Sequence, residues 1–168
     1  MSDLRRHPNI VNVSDLEAKA GMSAGTKIGY LGRRLGFAAG GKGLGCSWFE
    51  LAPGKAAFPF HYHCANEEAI FVLDGAGTVR LGDETIPVRA GDYIAFPPGP
   101  KHAHQMINSG DAPLRYLCFS TMLTTEVAVY PDSKKVGAMS IGPDGTPWVR
   151  QLHHESGQKG YFDGEPVD

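Results

Sequence analysis

The stretch His61-Tyr62-His63-Cys64-Ala65-Asn66-Glu67-Glu68 carries two histidines and a carboxylate at spacings that suit one metal ion. Side chains alternate between the two faces of a β-strand, so His61 and His63 point the same way, about 6–7 Å apart along the chain. The polar residues 64–66 can turn the chain, and the apolar run that follows Glu68 is typical of a partner strand. The pattern therefore predicts two neighbouring strands whose His61, His63 and Glu68 side chains face one cavity.

A second histidine-bearing stretch runs from Gly91 to Asn108, with the sequence GDYIAFPPGPKHAHQMIN. A strand, a Pro-Gly turn and a second strand in this stretch could bring a third imidazole to the same cavity. His102 and His104 have the same strand parity, so geometry alone does not choose between them.

Together the two stretches resemble the paired motifs of the cupin superfamily, G-x5-H-x-H-x3-4-E-x6-G and G-x5-P-x-G-x2-H-x3-N. Glu68 and Gly75 match the end of the first motif, and Gly91, Pro97 and Gly99 match the start of the second. Six residues, rather than the five of the motif, separate Gly54 from His61. A one-residue bulge would absorb the extra residue. The resemblance implies an all-β fold, a double-stranded β-helix or jelly-roll barrel with an interior pocket.

The third imidazole has two candidates within this resemblance. His102 satisfies the motif spacing from Gly99, whereas His104 satisfies the spacing to Asn108. We favour His104, because pairing with a neighbouring strand fixes the register from Asn108 better than the Pro-Gly loop does. The predicted metal ligands are therefore His61, His63, Glu68 and His104, with His102 as an alternate ligand or proton carrier nearer the barrel mouth.

Three imidazoles and one carboxylate suit a divalent transition metal, and Fe, Mn, Ni, Zn and Co all fit equally well. We expect Asn108 or a backbone carbonyl to hold the second ring nitrogen of a ligand histidine. The alternative is a metal-free barrel in which these histidines are satisfied interior polar groups.

Strand parity also selects the lining of the pocket. Ile70 and Val72 share the parity of Glu68, and Met106 shares that of His104. A partly apolar pocket beside a metal is typical of a small-molecule site. Three cations could meet an anionic substrate if they turned inward, although surface exposure is the more common state of such side chains; they are Arg80, Lys101 and Arg115.

Composition limits the class of protein. The chain has 168 residues and 42% hydrophobic content, enough for one domain with a full core. Its 22 glycines and 12 prolines favour many short strands joined by tight turns. A net charge of −2 gives no basic surface for nucleic acid, and no apolar run is long enough for a bilayer. Residues 1–8 lack the apolar core of a secretory signal, and with three cysteines this predicts a cytoplasmic protein without a disulfide framework.

The chain divides into three predicted segments. Residues 1–43 form an N-terminal extension whose strands complete the sheets, residues 44–130 form the barrel, and residues 131–168 form a loosely ordered, irregular C-terminal tail. On the outward face of the strand after Glu68, three apolar side chains need cover, which predicts a homodimer through sheet faces; they are Ala69, Phe71 and Leu73.

Residues 7–12 and 129–137 resemble a mostly uncharacterised group of bacterial single-domain cupins, some labelled sugar-phosphate isomerases. The first hypothesis is therefore a metal-dependent enzyme on a small oxygen-bearing metabolite such as a sugar phosphate, with isomerase-type chemistry. Non-heme iron dioxygenase and non-catalytic small-molecule or sugar binding module are the alternatives, because one barrel hosts many functions. Isomerisation needs a base, for which only Tyr62, Glu67 and His102 are available in the motif region; the sequence assigns no catalytic residue.

Overall fold

The computed structural model describes residues 7–21 and 23–166, so parts of the predicted terminal extensions (residues 1–6, 22 and 167–168) lie outside the described residues. Within that range the chain forms a short helix, α1 (Leu35–Ala38), and single 3-10 turns at Val13–Asp15, Pro100–His102, Pro131–Ser133 and Glu155–Gly157. The strands are β1 (Lys19–Ala20), β2 (Leu31–Arg33), β3 (Leu44–Leu51), β4 (Tyr62–His63), β5 (Glu68–Asp74), β6 (Ala76–Leu81), β7 (Glu84–Arg89), β8 (Tyr93–Phe96), β9 (His104–Ile107), β10 (Leu114–Thr121), β11 (Thr125–Tyr130), β12 (Lys135–Ile141) and β13 (Pro147–His154). No helix in this part of the chain is long and apolar enough to cross a bilayer.

The strands build a double-stranded β-helix, as the sequence predicts. One sheet has the strand order β1-β2-β3-β10-β5-β8, and two smaller sheets have the orders β13-β12-β11-β4 and β7-β6-β9. All strand pairs are antiparallel, and an isolated bridge between His61 and His104 joins the two smaller sheets into one opposing layer. The N-terminal strands β1 and β2 extend the first sheet beyond β3.

The core fills the space between the two layers. Leu51, Val72 and Leu114 are completely buried, and Tyr116 and Val79 are almost so. These residues belong to one hydrophobic cluster that also includes Ile70 and Met106. Burying a large apolar side chain of this kind stabilises the folded chain by about 1.5–3 kcal/mol, so the cluster holds the walls of the pocket in place.

The structure explains why the first motif ends in a glycine, Gly75. It connects β5 to β6 with a φ of 83°, and a Cβ built there would lie 2.6 Å from the Pro113 carbonyl oxygen. Only glycine tolerates both the left-handed backbone and this close approach. The turn fixes where β5 ends and thus which of its residues face inward.

The structure corrects part of the prediction of an irregular tail over residues 131–168, because two strands lie within residues 135–154. Strands β12 and β13 form a hairpin that pairs with β11. Its turn is closed by Asp144, whose carboxylate accepts hydrogen bonds from the backbone N–H and hydroxyl of Thr146. Every residue of β13 is exposed, so the strand lacks the alternation of apolar and polar residues by which a strand is recognised in sequence.

Candidate metal centre

His61 and His104 meet where the two smaller sheets join. The backbone N–H of His61 donates to the His104 carbonyl (3.1 Å), and the N–H of His104 donates to the His61 carbonyl (2.7 Å). This pairing places the two imidazole rings side by side, with centroids 4.7 Å apart. The backbone therefore fixes the separation of two candidate ligands.

Glu68 faces these histidines from the first sheet, where it begins β5. One donor atom from each of His61, Glu68 and His104 lies within 4.8 Å of the others. Within this group, His104 Nε2 lies 3.3 Å from Glu68 Oε2. Two nitrogens and one oxygen from separate segments thus converge on one small volume.

His63 adds a fourth donor beside this group. Its Nε2 lies 3.4 Å from Glu68 Oε2, and its Nδ1 lies 3.5 Å from Glu126 Oε2. Both ring nitrogens are buried, and neither makes a hydrogen bond within the described residues. A buried imidazole without a hydrogen bond is costly, and a bound cation would satisfy its lone pair. The donors present therefore fit a divalent transition metal.

Backbone carbonyls set the tautomers of two of these rings. His61 Nδ1 lies 2.8 Å from the Pro59 carbonyl oxygen, and His104 Nδ1 lies 3.0 Å from the His102 carbonyl oxygen. A carbonyl can only accept, so each Nδ1 must carry the proton and donate it. In the neutral imidazole each Nε2 then carries a lone pair, which is the form that binds a metal.

Asn108 does not hold a ligand histidine. Of the two partners expected for a ring nitrogen, Asn108 or a backbone carbonyl, the structure therefore shows the carbonyl. The buried amide of Asn108 donates to the carbonyl oxygens of Leu51 and Ala112, and its carbonyl accepts from the N–H of Gly110. Asn108 therefore braces the turn that follows β9.

Glu126, on β11, is a site residue that the sequence analysis missed. It is 6% exposed, and its carboxylate accepts hydrogen bonds from the backbone N–H groups of Cys64, Ala65 and Asn66, at 3.1, 3.1 and 2.7 Å. The same carboxylate lies beside His63 Nδ1. Glu126 thus fixes the turn after His63 and faces its outer nitrogen. The sequence signal for Glu126 is that it is a single acidic residue in the otherwise uncharged strand β11.

Replacing Glu126 with Gln is expected to weaken metal binding by about 10- to 100-fold, the usual cost of losing a carboxylate behind a ligand histidine. The amide NH₂ of Gln would also oppose backbone N–H donors, which should lower the free energy of unfolding by about 1–3 kcal/mol. Metal titration by dye competition and urea unfolding measure the two effects. Glu84→Gln, at an exposed position of β7, is the matched control. Equal metal affinity in both variants would contradict a positioning role for Glu126.

The charges within the cluster set its protonation. Burial raises the pKa of Glu68, but the contact with His104 Nε2 and the charge interactions with His63 and His104 outweigh burial and hold this pKa well below its usual range. Burial, reinforced by His104 and His63, lowers the pKa of His61 to about 4. Burial also lowers the pKa of His63, but Glu68 and Glu126 outweigh it and raise the pKa above its ordinary value. At neutral pH the site therefore holds an ionised carboxylate and a neutral His61, both competent to bind a cation.

His102 lies outside the cluster that contains His104. It ends the 3-10 turn Pro100–His102, and its contact with the site is the backbone carbonyl that accepts from His104 Nδ1. Cys64, next to His63, is exposed and is not part of the group.

A cavity of about 290 Å³ opens from the candidate ligands into the barrel. Of the predicted lining residues, Ile70 and Met106 line it, whereas Val72 does not and is instead completely buried in the core. Phe49, Phe58 and other apolar side chains make up most of the remaining wall.

The three cations considered in the sequence analysis do not line the cavity. Arg115 pairs with Glu50 at 2.6 Å and Asp74 at 2.8 Å on the outer side of the sheet. Arg80 pairs with Asp132 at 2.6 Å, and Lys101 is exposed.

Comparison with known proteins agrees with this geometry. The family model described as Cupin domain matches residues 47–120. A solved structure from Silicibacter pomeroyi, described as a sugar phosphate isomerase from a cupin superfamily, is 30% identical to this chain. The alignment covers 80% of this chain and 81% of that one, with a TM-score of 0.67. This chain belongs to the cupin superfamily.

Two other known proteins extend the comparison. A proposed sugar phosphate isomerase from Acidithiobacillus ferrooxidans superposes with a TM-score of 0.79 over 91% of this chain and 96% of that one, at 23% identity, and shows the same fold. Quercetin 2,3-dioxygenase from Bacillus subtilis is 40% identical over 57 residues, which are 33% of this chain and 17% of the dioxygenase. The similarity spans less than half the length of the curated relatives that the chain matches.

Proposed function

We propose that this cupin is a metal-dependent enzyme that acts on a small oxygen-bearing metabolite. His61, His63, Glu68 and His104 would hold a divalent transition metal, which is Fe, Mn, Ni, Zn or Co. The observation that carries the proposal is that both ring nitrogens of His63 are buried without a hydrogen bond, beside a carboxylate and two further histidines. In the metal-free chain the carboxylates of Glu68 and Glu126, at 3.4 and 3.5 Å, offset the desolvation of this ring, and a bound cation would engage its Nε2 lone pair directly.

The ion would polarise a substrate oxygen as a Lewis acid. The surrounding chain would hold the ligands in position. The backbone pairing of His61 with His104 fixes these two donors, and Glu126 restrains the turn after His63. The apolar cavity walls would exclude water and orient the substrate.

Isomerase-type chemistry is the first reaction class to consider, and a relative described as a sugar phosphate isomerase supports it. This chemistry needs a general base beside the substrate carbon, and the three candidates from the sequence do not supply one. Tyr62, Glu67 and His102 do not line the cavity, and Glu67 is exposed. Among the described lining residues Glu68 is the carboxylate, so an isomerase would require it both to hold the ion and to accept the substrate proton.

Non-heme iron dioxygenase is the second candidate, because oxygen insertion does not require a separate protein base within the cavity. The local identity with quercetin 2,3-dioxygenase favours it. A cupin that only binds its ligand is the third.

One experiment separates the three. The protein is loaded anaerobically with Fe(II) and, in parallel, with Mn(II), and candidate hydroxyketones and diketones are added in D₂O. Deuterium exchange at the substrate carbon without oxygen supports an isomerase, and stoichiometric oxygen uptake supports a dioxygenase. A substrate-induced rise in melting temperature with neither reaction would contradict the enzyme proposal and leave a binding module.

We also propose the homodimer and the cytoplasmic location predicted from sequence. Ala69 is covered within the chain, but Phe71 is 37% and Leu73 42% exposed, and Tyr93 beside Phe71 is 65% exposed. This outward apolar face supports association through the sheet. A monomer in light scattering at micromolar concentration would contradict the dimer, and recovery in a secreted fraction would contradict the location.

A further inference from the structure

We propose, on the basis of the proposed function, that the substrate of this site is an oxygen chelator with an uncharged, apolar body, and that phosphorylated sugars are excluded. The chelating group would be a hydroxyketone, diketone or similar oxygen pair. The apolar body would lie in the cavity beyond the metal ligands.

The strand register orders the cavity wall by distance from Glu68. Pairing of β5 with β10 and of β10 with β3 places three rows side by side on the inner face. From the metal end inward, the cavity-lining residues of these rows are Glu68–Ser120–Gly45, Ile70–Cys118–Ser47 and Tyr116–Phe49. Val72, which pairs with Tyr116, is completely buried in the core. The wall becomes larger and more apolar with distance from the ligands, which suits a substrate that is polar at one end only.

The opposite wall continues this pattern. Met106 follows His104 inward, and Phe58 packs against Phe49 with ring centroids 5.7 Å apart. Gln105 also lines the cavity, but its amide donates to the Phe58 carbonyl oxygen at 2.7 Å. The polar side chain nearest this wall is therefore already engaged within the protein.

Charge excludes a phosphate from the same space. The described lining residues contain no lysine or arginine, and the nearby cations Arg80 and Arg115 are paired with acids outside the cavity. A phosphate would bring about −1.5 to −2 charges into a wall whose own carboxylate is Glu68. With the ion occupied by the chelating oxygens, burying that charge in the cavity beyond it without a second cationic partner is strongly unfavourable, whereas an apolar group gains from leaving water. The volume of about 290 Å³ lies at the small end for ligand sites, which fits a compact body such as one ring.

Two α-hydroxyketones with the same chelating oxygens test the inference: 2-hydroxy-1-phenylethanone has an aromatic body, and dihydroxyacetone phosphate has a phosphate. Calorimetric titration of the Mn(II)-loaded protein is expected to show at least about tenfold tighter binding of the phenyl compound. Ser47→Lys, which puts an ammonium on the inner face, should reduce or reverse this difference in affinity between the two compounds. Thr85→Lys, at an exposed position of β7, should leave the difference in affinity unchanged.

Equal or tighter binding of the phosphate by the unmodified, metal-loaded protein would overturn the inference and leave the proposed function intact. Binding of neither hydroxyketone by protein that holds its metal would overturn both the inference and the proposed chelating site. Binding of the phenyl compound with the same affinity in the absence of metal would overturn the proposed function and, with it, the chelating role of the substrate oxygens.

Discussion

Replacing His104 with Gln is expected to weaken metal binding by ~100-fold or more, because losing a ligand should cost at least as much as losing a residue that orients one. Replacing His102 with Gln is expected to leave metal binding nearly unchanged. The two histidines have the same strand parity in the sequence, but only His104 lies with Glu68 and His61 in the structure. Metal content after equilibrium dialysis, measured by elemental analysis, gives the comparison directly.

His104 is 5% exposed and stacks on Phe96 at 3.8 Å, so its variant must be shown to fold. Circular dichroism and thermal unfolding supply that check. Glu68→Gln, nearly identical in shape, offers a second variant that should lose metal in the same way. Loss of metal in His102→Gln with retention in His104→Gln would reverse the ligand assignment.

The metal-free protein is expected to be most stable near pH 6.5 and to lose stability on the acid side because of His61. The pKa of His61 is about 4 in the folded chain and 6.5 ordinarily, so between these values the unfolded chain binds a proton that the folded chain does not. Stability must therefore fall as the pH falls through this window, by up to about 3 kcal/mol. Below the ordinary range of a carboxyl group, the lowered pKa of Glu68 adds a further loss.

His63 acts on the alkaline side. Its pKa is raised in the folded chain, so the stability it contributes is fully present below pH 6.5 and is lost as the pH rises through the folded value. Urea unfolding of metal-free protein from pH 4 to 8 measures both slopes. His61→Gln should flatten the acid slope, and His153→Gln, on the exposed strand β13, should not. An unchanged acid slope in His61→Gln would contradict the pKa assigned to His61.

Local periodicity explains how much of the fold and site the sequence could predict. The alternation of side chains along a strand is set by backbone geometry, and it predicts Glu68 and Ile70 on one face of β5, from which both line the cavity. The same rule placed His104 and Met106 on one face of β9. The sequence could also predict that Cys64 lies apart from His63, because opposite parity separates neighbours.

Features that depend on distant pairing could not be predicted. Glu126 reaches His63 only because β11 pairs with β4, and no spacing in the sequence encodes that register. Val72 has the right parity but lies too deep to reach the cavity, since depth depends on how the sheets close. Strand β13 buries none of its side chains, so it has no apolar pattern for the sequence to show.

A crystal structure of the Mn(II)-loaded protein, with anomalous data collected for manganese, tests most directly whether the four donors hold one ion. We predict a single anomalous peak within about 2.0–2.3 Å of the Nε2 atoms of His61, His63 and His104 and of a Glu68 carboxylate oxygen. A peak elsewhere, or none at this cluster in protein that carries one equivalent of manganese, would contradict the metal site.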